Sequence, residues 1–174
     1  MLFRSLGQFK TAIGYHQRDL EIAQELEDKA GEGKSYCLLT HIRLSRGEFK
    51  ATIECAERHL EVAKEVGDKV GEACSLCSLG TSFECLGNLL KASIYFQSSV
   101  EVYDDIRASL QLNDQWKICY RNQHQTAYKS LWRTNLKQGN VVKALLAAEK
   151  GRAQSLRDLI DTRYQPGEIG RAHV

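Results

Sequence analysis

The feature that most constrains this 174-residue chain is an internal period of 40 residues. The segment GQFKTAIGYHQRDLEIAQELEDKAGE, beginning at Gly7, aligns without a gap on GEFKATIECAERHLEVAKEVGDKVGE, beginning at Gly47, with 13 identities in 26 positions. A third copy, GNLLKASIYFQSSVEVY, begins at Gly87, and a more diverged fourth, GNVVKALLAAEKGRAQSL, begins at Gly139 after a spacing of 52. A unit repeated at such a spacing cannot bury its apolar face alone and must stack on its neighbours.

The residues in register say what the unit is. Two positions after each glycine stands a bulky apolar residue (Phe9, Phe49, Leu89, Val141), and five after it a small one (Ala12, Thr52, Ala92, Ala144). Thirteen after it, in three copies, comes an aliphatic: Leu20, Leu60, Val100. These offsets share one helical stripe. The glycine ends the preceding helix and permits a tight reversal, so each unit reads as an antiparallel helix pair. The linkers Asp28–Glu32 and Asp68–Glu72 each supply an acidic residue for a cap and a glutamate for a first turn. Pro166 is the one proline, so nothing breaks a helix before Gln165.

Helices are therefore expected over 8–25, 32–46, 48–66, 72–86, 88–111, 114–138 and 140–161. The fold class is all-α, an α-solenoid of antiparallel helix pairs. The array spans 1–161, with units around Gly7, Gly47, Gly87 and Gly139, followed by a linker at 162–167. Met1 lies six residues before Gly7, so the first pair is expected to lack its first helix. Such an uncapped repeat end invites self-association.

Composition narrows the function classes. The opening MLFRSLGQFK lacks the apolar core of a signal peptide, and no run approaches the roughly 18 apolar residues that cross a bilayer. The six cysteines then read as reduced, mostly buried small hydrophobes, and the expected compartment is the cytoplasm. Residues 1–112 carry 13 Lys and Arg against 17 Asp and Glu, whereas residues 113–167 carry 10 against 4. The basic half lacks the interleaved aromatics of a nucleic-acid surface, so neither nucleic acid nor membrane is an expected partner.

The third copy reads Leu76-x2-Leu79-Gly80-x2-Phe83 and then Ala92-x3-Phe96. This resembles the tetratricopeptide signature, in which a Leu-Gly pair and a small residue mark the crossing of the two helices. The second copy is looser, with Tyr36-x2-Leu39-Thr40 and Thr52-x3-Ala56, and the fourth has Tyr128-x2-Leu131-Trp132 and Ala144-x3-Ala148. The 40-residue period exceeds the usual 34 and falls in the range of armadillo and HEAT repeats, but the Leu-Gly pair favours tetratricopeptide repeats in a long form.

Two groups use such long units, the G-protein-signalling modulators and the large tetratricopeptide proteins with a caspase-like CHAT domain. The stretch Asn113-Asp114-Gln115-Trp116-Lys117-Ile118 and the run from Ala148-Glu149-Lys150 to Leu159 resemble the second group, proteins similar to tetratricopeptide repeat protein 28. Thr40, Thr52 and Arg46 stand where that family favours Gly, Ala and Leu. The resemblance implies a protein–protein interaction scaffold, or alternatively the N-terminal sensor or regulatory arm of a larger CHAT-domain protein cut before that domain. The ending Glu168-Ile169-Gly170-Arg171-Ala172-His173-Val174 is what GAG ATC GGA AGA GCA CAC GTC encodes, the start of a common library adapter. Residues 168–174 are accordingly expected to be an artefact of cloning or assembly.

No enzymatic chemistry is expected. Cys74-x2-Cys77 resembles half a zinc site without a second half. Cys37 and His41, one turn apart, lack an orienting group and an oxyanion hole. His16, His59 and His124 show no ligand spacing, no phosphate-binding glycine loop occurs, and no metal or cofactor is implied. In tetratricopeptide arrays the first helix of each pair lines the concave face, which places Lys34, Cys37, His41 and Ser45 there in the second unit. Cys74, Cys77, Thr81 and Glu84 follow in the third, and Lys129, Arg133 and Lys137, spaced i, i+4, i+8, in the fourth. Three cations on one face suit a carboxylate or an acidic peptide partner.

Overall fold

In the computed structural model, which describes residues 2–109 and 114–150, the chain is all-α. The helices are α1 (Leu2–Glu25), α2 (Lys29–Ser45), α3 (Phe49–Val66), α4 (Lys69–Cys85), α5 (Leu89–Ser109) and α6 (Asp114–Lys137), with α7 described over 141–150. The expected remainder of α7, the linker at 162–167 and residues 168–174 lie outside the described residues. Among α1 to α4, consecutive helices pack on one another and α2 also packs on α4, the pattern of stacked helix pairs.

Local chemistry sets the boundaries. α2 and α4 begin at Lys29 and Lys69, three residues before the expected starts. The carboxylates of Asp28 and Asp68 accept the N–H of Gly31 (3.0 Å) and Gly71 (2.9 Å), satisfying donors that the first turn leaves unpaired. Lys29–Glu32 (3.1 Å) and Lys69–Glu72 (2.8 Å) then brace that turn.

Gly47, Gly87 and Gly139 are left-handed, with φ of 74°, 79° and 75°. After each, a backbone N–H reaches back to the preceding helix: Glu48 to Arg43 O, Asn88 to Phe83 O and Asn140 to Asn135 O, at 2.9–3.0 Å. These are Schellman closures, and they need a residue free to adopt positive φ. The reversal expected at Gly7 does not occur, because α1 runs through it from Leu2. Extending an existing helix from residue 8 back to Leu2 needs no new nucleus, and a glycine inside a helix costs only about 1 kcal/mol.

The chain divides into two compact units, Met1–Tyr103 and Asp104–Val174. In the first, α2 packs on α1, α3 and α4, and α3 packs on α4. Its core holds Leu39, Ala56, Leu79, Ala92, Phe96 and Val100, each at most 1% exposed. The small residues of the repeat register, Thr52 and Ala92, are fully buried at the helix crossings. In the second unit Ala127, Leu131 and Ala144 are buried. Asp104 accepts a hydrogen bond from Tyr128 Oη (2.6 Å) and pairs with Lys150 (2.6 Å), tying three helices together. Val141, in register with Phe49 and Leu89, departs from their half-buried state and stays 53% exposed.

Candidate partner-binding face

α2 and α4 are both first helices of their pairs and lie side by side in the first unit. Along α2, Lys34, His41 and Ser45 are exposed and Cys37 is half-buried. Along α4, Cys74, Cys77, Thr81 and Glu84 are all half-buried. Lys129, Arg133 and Lys137 are exposed on α6, in the second unit. The residues expected on one face therefore group into a thiol-rich set on α2 and α4 and a cationic set on α6.

The first set is chemically quiet. Cys37 Sγ lies 4.0 Å from His41 Nδ1, and Cys74 Sγ lies 3.4 Å from Tyr103 Oη. Burial raises the Cys37 thiol above its ordinary value and pushes Cys77 up to about 11, so both are held as protonated thiols rather than nucleophilic thiolates. No cluster of His, Cys, Asp or Glu among the described residues could hold a metal ion. α4 also consumes its own hydroxyls: Ser75, Ser78, Thr81 and Ser82 each donate to the carbonyl four residues back, at 2.8–3.0 Å.

One polar constellation escaped the sequence reading. His59, on α3, is 4% exposed, and its Nδ1 lies 2.7 Å from Ser75 Oγ on α4. Ser75 Oγ donates to Gly71 O, so Nδ1–H donates to Ser75. The side that a Gly71 Cβ would occupy abuts both His59 Nε2 and the Asp68 carboxylate. Serine, histidine and aspartate thus meet at one α3–α4 contact, but Ser75 is 1% exposed and its proton is committed to a carbonyl. The trio fastens two helices and reaches no substrate. Only the spacing 59–75 across a linker signals it, and a single sequence does not weight that spacing.

Comparison with known families settles the repeat type. A tetratricopeptide-repeat model matches residues 41–105, and a second tetratricopeptide-repeat model matches residues 1–30. The chain carries tetratricopeptide repeats. No curated protein matches it.

Tetratricopeptide repeats generally mediate protein–protein interaction and are typically non-catalytic scaffolds. The Leu-Gly pair of their signature has a visible cause here. A Cβ on Gly80 would sit 2.7 Å from two ring atoms of Phe96, which is fully buried. Among the described residues no helix is long and apolar enough to cross a membrane.

Proposed function

We propose that the protein is a non-catalytic scaffold that holds a partner protein or peptide on the first-helix faces of its tetratricopeptide repeats. In the first unit the face comprises Lys34, Cys37 and His41 of α2 with Cys77 and Thr81 of α4. The observation that carries this is the packing of α2 beside α4 with Cys37 and Cys77, and His41 and Thr81, one repeat apart and incompletely buried. In the second unit Lys129, Arg133 and Lys137 present three cations along one exposed face of α6 and suit an acidic peptide.

Fluorescence anisotropy with a glutamate-rich peptide tests the cationic set. Arg133→Glu should weaken binding by on the order of tenfold or more, as expected for a charge-assisted hydrogen bond. An unchanged affinity would remove α6 from the binding face.

The resemblance of residues 113–159 to the last repeat before a CHAT domain supports a second reading. In it, residues 1–161 are the sensor arm of a longer caspase-like protein, and residues 168–174 are foreign to it. Sequencing the genomic and transcript region from codon 160 onward separates the two. A frame running into a CHAT domain supports the arm, and a genomic Glu168–Val174 followed by a stop refutes it.

A further inference from the structure

The repeat supplies its own control for the outward side of each second helix. On α3 that side carries Lys50, Glu54, Glu57, Arg58 and Glu61, all exposed, with Arg58 paired to Glu61 (2.9 Å). These positions stay open although α2 and α4 both pack on α3, so neither the hairpin partner nor a neighbouring hairpin covers them. Forty residues on, α5 has Leu90, Ile94, Gln97, Ser98 and Glu101 in their place, and four of the five charges are gone. Leu90 is 68% exposed and Ile94 56%. Leu86, 45% exposed at the turn between α4 and α5, likewise stands where the second hairpin has Arg46, which pairs with Glu48 (2.8 Å). Exposed aliphatics grouped where the repeat otherwise carries charge mark a contact surface.

The flanks of this surface are held in place. The Phe83 ring of α4 stacks on Tyr95 of α5 with centroids 5.4 Å apart, and Lys91 Nζ lies 5.0 Å over the Phe83 ring. The Gln97 amide donates to Glu101 Oε1 (2.8 Å). Lys91 and Glu101 thus stand at opposite ends of the stripe, about 15 Å apart along the helix.

The placement of those two charges identifies the occupant. Turned antiparallel about an axis level with residue 96, α5 sets Lys91 opposite Glu101 of a second copy, twice by symmetry. The same alignment brings Ile94 beside Ser98 of the second copy, a small side chain where α3 has Arg58, and so leaves room for it. α7 is also apolar in this register, at Val142 and Leu146, but its counterparts of Lys91 and Glu101 are Lys143 and Ala153, which form no such pair.

We infer that the outward side of α5 is an interface between two copies of this chain, joined antiparallel through Leu90 and Ile94 and flanked by reciprocal Lys91–Glu101 pairs. One helix stripe from each copy falls short of the ~800 Å² per partner of a stable interface, so the dimer is weak and forms as concentration rises. The surface lies on a second helix and does not depend on the first-helix faces proposed to hold a partner.

Sedimentation equilibrium of the full chain up to ~0.5 mM tests this, under reducing conditions because Cys85 is exposed. A reversible monomer–dimer equilibrium is expected. Ile94→Glu, which installs the α3 residue, should weaken it by on the order of tenfold or more, since it sets a charge into the apolar contact. The circular-dichroism melt should not change, because Glu54 is tolerated at the same position of α3. Lys91→Glu and Glu101→Lys should each weaken the dimer about fivefold, and the double reversal should restore it. A chain monomeric throughout, or a dimer that persists in Ile94→Glu, would overturn the assignment. So would a dimer dissolved instead by Ile22→Glu on α1 or by Leu146→Glu on α7. Single reversals without effect, or a double reversal that recovers nothing, would remove the antiparallel pairing and with it the choice of a second copy.

Discussion

The second and third hairpins share a backbone plan and divide the same space differently. In α4/α5 the crossing is filled by Gly80 and Phe96, with Phe96 0% exposed; the positions in register with them in α2/α3 are Thr40 and Ala56, 2% and 0% exposed. Bulk has moved from one helix to the other. The tetratricopeptide signature is thus a property of a facing pair, and a departure at one position is tolerable when its partner answers it. The two solutions are not equivalent, however. Thr40 Oγ1 is buried and finds no hydrogen-bond partner among the described groups, whereas Phe96 and Gly80 bring no polar atom to the crossing.

The comparison can be broken most severely at Phe96. Phe96→Ala should cost about 3–5 kcal/mol in urea denaturation, the range for a fully buried aromatic. Adding Gly80→Thr, which installs the second hairpin's pair in the third, should recover part of that loss. A double-mutant cycle without coupling would show the two crossings to be unrelated.

Gly80→Ala alone should cost about 1–3 kcal/mol, because the new methyl meets a ring with no room to withdraw. A thermal melt matching the wild type would mean that the Phe96 ring can move aside. Thr40→Val keeps the shape and removes the unsatisfied hydroxyl, so it should stabilise the chain by about 1 kcal/mol. A loss of stability would reveal that the hydroxyl is bonded in solution.

The gentlest probe is pH. Burial lowers His59 below its ordinary value of 6.5, with His41 acting in the same direction and Asp68 opposing. The unfolded chain then binds the proton more readily than the folded one. The stabilising contribution is therefore full above about pH 6.5 and is lost as pH falls from there toward the lowered value. The melting temperature of the wild type should drop across that interval, and His59→Gln should flatten the drop. An identical slope in the variant would place the sensitivity elsewhere.

Much of this architecture was legible because the repeat overdetermines it. Glycine recurrence marked the left-handed turns at Gly47, Gly87 and Gly139, and the small residue five positions on marked buried points at Thr52, Ala92 and Ala144. Of the apolar offsets, by contrast, Val100 is buried, Phe49, Leu60 and Leu89 are half-buried and Val141 is exposed. Gly7 misled for the same reason, since register assigns it a turn while its conformation depends on the chain before it. Asp28 and Asp68 were readable as caps, but the helix starts were placed too late because the cap precedes the first turn rather than sitting within it.

The candidate face was only partly visible. Which side of α2 and α4 stays open follows from helix packing, and the separation of Lys129, Arg133 and Lys137 into the second unit has no mark in the residues themselves. His59 was read as lacking a ligand pattern, and its actual partner, Ser75, lies on the next helix.

The hydroxyls of α4 carry a consequence for how such a chain changes over generations. Ser78, Thr81 and Ser82 give their protons to their own helix, so replacement by alanine there breaks no contact with another helix through the hydroxyl. Gly80, lying among them, has no such latitude while Phe96 stands opposite. Substitutions along this helix should accumulate most readily at half-buried Thr81, be confined to residues no larger than serine at buried 78 and 82, and appear at 80 only in lineages where 96 has shrunk first.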